Sequence, residues 1–310
     1  MQNLGAVYKA LAAGELDAAL SRLTGGDPGR ERVAQVLDGF CRAFGAGEEA
    51  DVTLCSAPGR TEICGNHTDH QHGRVLAASV NVDFLACAAP NGTNTIRFQS
   101  QGWPLVEVAL DGRGPRPEEN ETTASLVRGM AELAAKRGFP VAGFDAYALS
   151  DVLPGSGLSS SAAFEVMVGA VLEALFGPGP FAGTSSPAPA QDAVEEEGGR
   201  FVPLDPVALA LAGVTAEQRY FGKPCGAQDQ LASACGGTVL LDFGPKVPTV
   251  TPLAFDATGV GYAVVLVDSR QDHSVHTEEF ASVPADMRMV ANHLGAARLG
   301  DASVDALFAS

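Results

Sequence analysis

The chain has few aromatic residues, with one Trp and 6% aromatic content overall, and few cations, with 20 Lys and Arg against 37 Asp and Glu. The resulting net charge of −17 argues against an extended nucleic-acid surface or an anionic membrane surface, since both select for clustered Lys and Arg. No run approaches the ~18 apolar residues of a membrane span, and the N-terminus has no basic-then-apolar leader. A soluble, cytoplasmic protein with no membrane and no nucleic-acid partner is expected. The six cysteines (Cys41, Cys55, Cys64, Cys87, Cys225, Cys235) contain no Cys-x-x-Cys pair, so reduced thiols are expected rather than disulfides or structural zinc.

Two familiar motifs are also missing. The glycine-rich stretch Leu153-Pro154-Gly155-Ser156-Gly157-Leu158-Ser159-Ser160-Ser161 has no Lys after its glycines, which excludes the Gly-x-x-x-x-Gly-Lys phosphate loop. Pro154 stands where a Gly-x-Ser-x-Gly nucleophile elbow needs its first glycine.

With 46% hydrophobic residues in 310, the chain can build one large or two medium domains. Residues 1 to 48 carry helical spacing (Leu4, Val7, Leu11; Val33, Val36, Leu37, Phe40). Strands are predicted over Asp51 to Ala57, ended by Pro58-Gly59, and over Val75 to Ala89, Asn94 to Ser100, Leu105 to Leu110, Phe144 to Leu149, Gly237 to Phe243 and Gly261 to Asp268. Helices are predicted over Thr122 to Arg137, Ser159 to Phe176, Asp205 to Tyr220 and Ala227 to Ala234, and through most of the last forty residues. The Gly, Pro, Ala and Ser-rich segment 177–203 reads as a surface insertion with weak order.

Three stretches carry chemistry. Gly155 to Ser161 follows a strand and opens a helix, where unpaired N–H groups and the positive dipole end suit an anion such as phosphate. The loop from Arg60 to Gly73, with Asn66, His67, Thr68 and Asp69, packs polar side chains densely enough to recognise a polyhydroxylated ligand. Its three histidines (His67, His70, His72) lie on no evident helix face, so a transition-metal site is not expected. Glu217 closes one helix and Asp229 opens the next, so two carboxylates can converge on one pocket; one could hold a metal and the other handle a proton.

Pro58-Gly59-Arg60 with Gly65-Asn66-His67-Thr68-Asp69, then Pro154-Gly155-Ser156-Gly157-Leu158-Ser159-Ser160-Ser161-Ala162, then Pro224-Cys225-Gly226 with Asp229-Gln230, in that order, resemble galactokinase within the GHMP kinase superfamily. The resemblance implies an α+β, GHMP kinase-like two-domain fold with a helical N-terminal extension (1–49), an N-terminal kinase domain (50–245) and an incomplete C-terminal domain (246–310), the active site lying in the inter-domain cleft. It implies that Gly155, Ser156, Gly157, Leu158, Ser159, Ser160 and Ser161 wrap the phosphates of ATP. Ser161 and Glu217 would bind Mg²⁺, with Asp229 and Arg60 catalytic. Asn66, His67, Thr68 and Asp69 would hold the sugar, and the reaction would be phosphorylation of galactose at its anomeric hydroxyl.

Some positions depart from that pattern. Asn66 stands where galactokinases usually carry Glu, Glu62 where Asn is usual, and Phe280, in the segment Asp272 to Phe280, where a sugar-binding Tyr is usual. An altered sugar preference follows as an expectation, with N-acetylgalactosamine and arabinose as alternative substrates. The chain ends at Ser310, before the third glycine-rich motif of the family, so a C-terminally truncated second domain with exposed apolar surface is expected. A non-catalytic sugar and ATP sensor is the rival from another class, and the presence of Arg60, Ser161, Glu217 and Asp229 favours catalysis over it.

Overall fold

The structure, a computed structural model, describes every residue except 25, 28, 113, 178–204, 256, 258, 266, 268–276 and 310. The expected insertion at 177–203 lies outside the described residues save for Gly177, as does most of the Asp272 to Phe280 segment.

Among the described residues eight strands form one sheet: β1 (Gln2–Asn3), β2 (Asp51–Cys64), β3 (Arg74–Pro90), β4 (Thr95–Ser100), β5 (Val106–Ala109), β6 (Phe144–Ser150), β7 (Thr238–Asp242) and β8 (Thr249–Leu253). Their order is β1-β2-β3-β6-β4-β5, with β7 paired to the first half of β3 and β8 to β7. All pairings are antiparallel except β4 with β6. The length of β3 makes this arrangement work, since residues 74–78 pair with β7 and residues 84–90 pair with β6.

The helices are α1 (Leu4–Ala13), α2 (Asp17–Thr24), α3 (Arg30–Phe44), α4 (Thr123–Lys136), α5 (Ser160–Phe176), α6 (Pro206–Ala216), α7 (Gln228–Cys235), α8 (Thr277–His293) and α9 (Val304–Ala309). Alternate residues of a strand point to opposite faces, and here both faces are covered. Phe84, Ala86 and Ala88 of β3 and Ala146 and Ala148 of β6 pack under α4, α5 and α6. Leu85, Cys87, Ala89, Tyr147 and Leu149 pack under α1 and α3. A strand buried on both sides reads as a near-continuous apolar run, which is how β3 and β6 read. The N-terminal helices thus share a core with the sheet, and α3 approaches it through Gly39, where a Cβ would fall 2.0 Å from the Tyr147 ring.

Two strand expectations change. β2 does not end at Pro58-Gly59 but continues to Cys64, because a register shift between Pro58 and Arg60 absorbs the irregularity as a bulge. The strand expected over Gly261 to Asp268 is absent among the described residues, where Val264, Val265 and Val267 are exposed and have no sheet partner, and β8 forms earlier, at Thr249–Leu253. No described helix is long and apolar enough to cross a membrane, and all six cysteines are free.

Candidate active site

The turn between β6 and α5 is built by positive φ angles, +72° at Gly155 and +78° at Gly157, which glycine adopts without a Cβ penalty. Ser159 also lies in the left-handed region, at φ +61°, where a non-glycine residue is disfavoured. It occupies the N-cap of α5 but makes no capping hydrogen bond. Its Oγ donates instead to Asp229 Oδ2, so the strained residue connects the turn to α7. The first N–H groups of α5 therefore receive no cap from Ser159.

Arg60 lies on the extension of β2 past the bulge and is buried. Its Nε donates to Asp229 Oδ1 at 2.7 Å and its Nη1 to the Gly157 carbonyl at 2.7 Å. The Arg60 N–H also donates to the Leu158 carbonyl at 3.2 Å, and a Cβ on Gly59 would sit 3.0 Å from that oxygen. Burial alone would raise the Asp229 carboxyl. The Arg60 guanidinium, its hydrogen bond and that of Ser159 outweigh burial and hold the group below the usual carboxylate range.

The polar loop docks on the start of α7. Asp69 Oδ2 accepts from Gln228 N–H at 3.2 Å, and Gly226 is required there because a Cβ would come within 1.7 Å of that oxygen. Glu62 Oε2 accepts from Gln228 Nε2 at 2.9 Å and from His67 N–H at 3.2 Å. Asn66 and His67 take left-handed backbone angles, Thr68 opens a short 3₁₀ turn, and the His67 ring is exposed. Asp69 therefore anchors the loop that carries His67.

Glu217 sits where α6 passes into a π turn (Glu217–Phe221), a local widening of the helix common at functional sites. Ser161 Oγ donates to Glu217 Oε1 at 2.8 Å, and Lys223 Nζ lies 3.2 Å from the same oxygen. Burial would lower the Lys223 ammonium, but Glu217 more than offsets it, so the group stays charged. Gln230 Nε2 donates to Glu217 Oε2 at 2.8 Å and to Glu165 Oε2 at 3.0 Å. Burial, and then the charge of Glu217, push the Glu165 carboxyl up from its ordinary value.

The Ser161 hydroxyl and the Glu217 carboxylate, 2.8 Å apart, are oxygen donors of the kind that fit Mg²⁺, which prefers oxygen ligands and takes few of them from protein. Among the described residues no group of three or more His, Cys, Asp or Glu could hold a metal, so phosphate and water oxygens would complete such a shell.

The structure therefore brings Arg60, the glycine turn, Ser159, Ser161, Glu217 and Asp229 together, with the Asn66 to Asp69 loop on the adjoining side of α7. A cavity of about 710 Å³ opens beyond that loop, lined by Asp69, His72, Cys225, Phe243 and Lys246, and includes neither Arg60 nor Asp229. Sequence reasoning gave no role to Glu165, Gln228 or Gln230, although Gln230 stands in the third motif. The available signal was a carboxylate at position 165 inside the otherwise apolar run Ala162 to Val168.

Residues 38–90 match the galactokinase galactose-binding signature, and residues 125–186 match the N-terminal domain of GHMP kinases. The fold is similar to that of Lactococcus lactis galactokinase, solved in complex with galactose, with a TM-score of 0.65 at 23% identity over 90% of this chain and 66% of that one. It is also similar to Methanococcus jannaschii mevalonate kinase, with a TM-score of 0.52 at 11% identity over 79% of this chain and 71% of that one. The chain thus spans about two thirds of the length of the galactokinase it matches.

Proposed function

We propose that this chain, whose residues 38–90 match the galactokinase galactose-binding signature and whose residues 125–186 match the N-terminal domain of GHMP kinases, is a GHMP kinase that transfers the γ-phosphoryl group of ATP to the anomeric hydroxyl of galactose. The observation that carries this reading is the Asp229 carboxylate, held at once by Arg60 and by Ser159 of the glycine turn, with the Asp69 loop docked one residue away on Gln228.

In this reading the turn from Gly155 to Ser161 and the N-terminus of α5 receive the ATP phosphates, using backbone N–H groups and the helix dipole in place of lysine. Ser161 and Glu217 would hold Mg²⁺, which neutralises charge on the phosphates when bound. Asn66, His67, Thr68 and Asp69 hold the sugar. Asp69 accepts from Gln228 and His70 N–H groups, and a carboxylate offers about four lone-pair sites, so it keeps capacity for a sugar hydroxyl.

Phosphoryl transfer asks for alignment and charge neutralisation more than for covalent chemistry. Asp229, held ionised by Arg60, is a weak base. It therefore orients the attacking hydroxyl by accepting its hydrogen bond and receives the proton late, as the new O–P bond forms. Arg60 in turn stabilises negative charge at the transferred group.

A second reading, a kinase for a related sugar such as N-acetylgalactosamine or arabinose, is favoured by the exchange of Glu and Asn at positions 62 and 66. In the structure the carboxylate at 62 is engaged with Gln228 and His67. Coupled ADP-release assays over a panel of sugars, with Asp229→Asn in parallel, test both readings. Turnover with galactose that the variant abolishes supports the first, and preference for another sugar supports the second. Sugar and ATP binding without turnover would overturn both in favour of a sensor.

A further inference from the structure

We propose that Glu165 and Gln230 are positioning residues that fix the carboxylate of Glu217 in the orientation a metal-bound nucleotide requires. The inference rests on the reading of Ser161 and Glu217 as the Mg²⁺-ATP side of the site.

Glu165, on α5 four residues beyond Ser161, is wholly buried, and so is Gln230 on α7. Every other buried side chain of α5 is apolar, so Leu at 165 would fill the position without the cost of burying a polar group. Instead the fold makes room for the acid. A Cβ on Gly213 of α6 would lie 2.9 Å from Glu165 Oε2 and 3.1 Å from Gln230 Cγ, so the α6 backbone comes close at this point because residue 213 has no side chain.

The two protons of the Gln230 amide nitrogen are both used, one on Glu165 Oε2 at 3.0 Å and one on Glu217 Oε2 at 2.8 Å. An amide held by a single bond can swing about its side-chain torsions, whereas one held by two in different directions is fixed. Glu165 thereby pins Gln230, and Gln230 pins the inner oxygen of Glu217. The outer oxygen is left facing Ser161 and Lys223. The chain Glu165–Gln230–Glu217–Ser161 ties α5, α6 and α7 together, and no member but Ser161 and Glu217 reaches the nucleotide side.

The test measures affinity for a fluorescent ADP analogue across a Mg²⁺ titration and without metal, alongside thermal melting, for the parent, Glu165→Leu, Glu165→Gln and Gln230→Leu. Gln230→Leu and Glu165→Leu are expected to raise the Mg²⁺ concentration at half-maximal tightening about tenfold, the scale of losing an outer-shell partner of a metal ligand. Metal-free nucleotide affinity is expected to stay unchanged. Glu165→Gln, which keeps an acceptor oxygen for Gln230, is expected to restore the parent titration.

Two outcomes overturn the inference alone. One is a Glu165→Leu titration that superimposes on the parent's, and the other is a loss that falls equally on metal-free and Mg²⁺-dependent binding. A parent whose nucleotide binding ignores Mg²⁺ overturns the nucleotide reading itself and the inference with it.

Discussion

Arg60 and Asp229 are 169 positions apart in the chain, yet the Nε of one donates to the Oδ1 of the other at 2.7 Å. The same guanidinium holds the Gly157 carbonyl, so one buried side chain joins a strand, a glycine turn and a helix N-terminus. Charge-assisted bonds of this kind are short and directional, and here they fix where the Asp229 carboxylate points.

Replacing Arg60 by Met is expected to move the acid limb of the kcat/KM profile to higher pH. Asp229 is held below the usual carboxylate range, so its ionised form, the reactive one in the proposed mechanism, persists into acid. With Arg60 removed, burial is left to act and raises the group. The same sign governs stability: the depressed carboxyl contributes stability above its unfolded pKa, and this is lost as the pH falls through the lower folded value. Melting temperature against pH should lose that acid-side dependence in Arg60→Met.

Asp229→Asn keeps the shape of the side chain but removes its charge and its capacity to receive a proton. Its kcat is expected to fall by about 10² to 10⁴-fold, the range of a positioned acid or base. Nucleotide affinity should change little, which equilibrium binding of the ADP analogue would check.

Lys223 and Glu217 predict opposite signs in one assay. Glu217→Gln removes the charge that would attract Mg²⁺ and should raise the metal requirement. Lys223→Met removes a cation that shares Glu217 Oε1, and should lower that requirement by about threefold, within the ~1 kcal/mol scale of a partly exposed ion pair. Titration of nucleotide binding with Mg²⁺ reads both.

Two glycine substitutions separate stability from substrate recognition. Gly39→Ala drives a methyl into the Tyr147 ring on the far side of the sheet and should cost about 1–3 kcal/mol of stability, leaving the KM values unchanged. Gly226→Ala pushes against Asp69 and should raise the KM for sugar as well as lower the melting temperature.

The sequence by itself determined the local elements and the three chemical stretches. The apolar run of β3, the Gly155 and Gly157 turn before α5, and the Asp205-Pro206 entry to α6 are each fixed by interactions within a few residues, and local interactions leave local patterns. The strand expected over Gly261 to Asp268 was one exception and Pro58-Gly59 another. The local meaning of Pro58-Gly59 is a strand end, and only the pairing of β2 with β3 on both sides of the bulge carries the strand on to Arg60 and Glu62.

Tertiary structure alone decided what these side chains touch. No spacing in the chain shows that Ser159 leaves its cap to meet Asp229, that Glu62 reaches Gln228, or that a lone buried Glu165 finds Gln230. These contacts join residues 65 to 166 positions apart, and their geometry is set by how the helices pack on the sheet, through close approaches at residues such as Gly59 and Gly213. Packing is a property of many side chains at once, and for that reason it is not written in any one stretch of sequence.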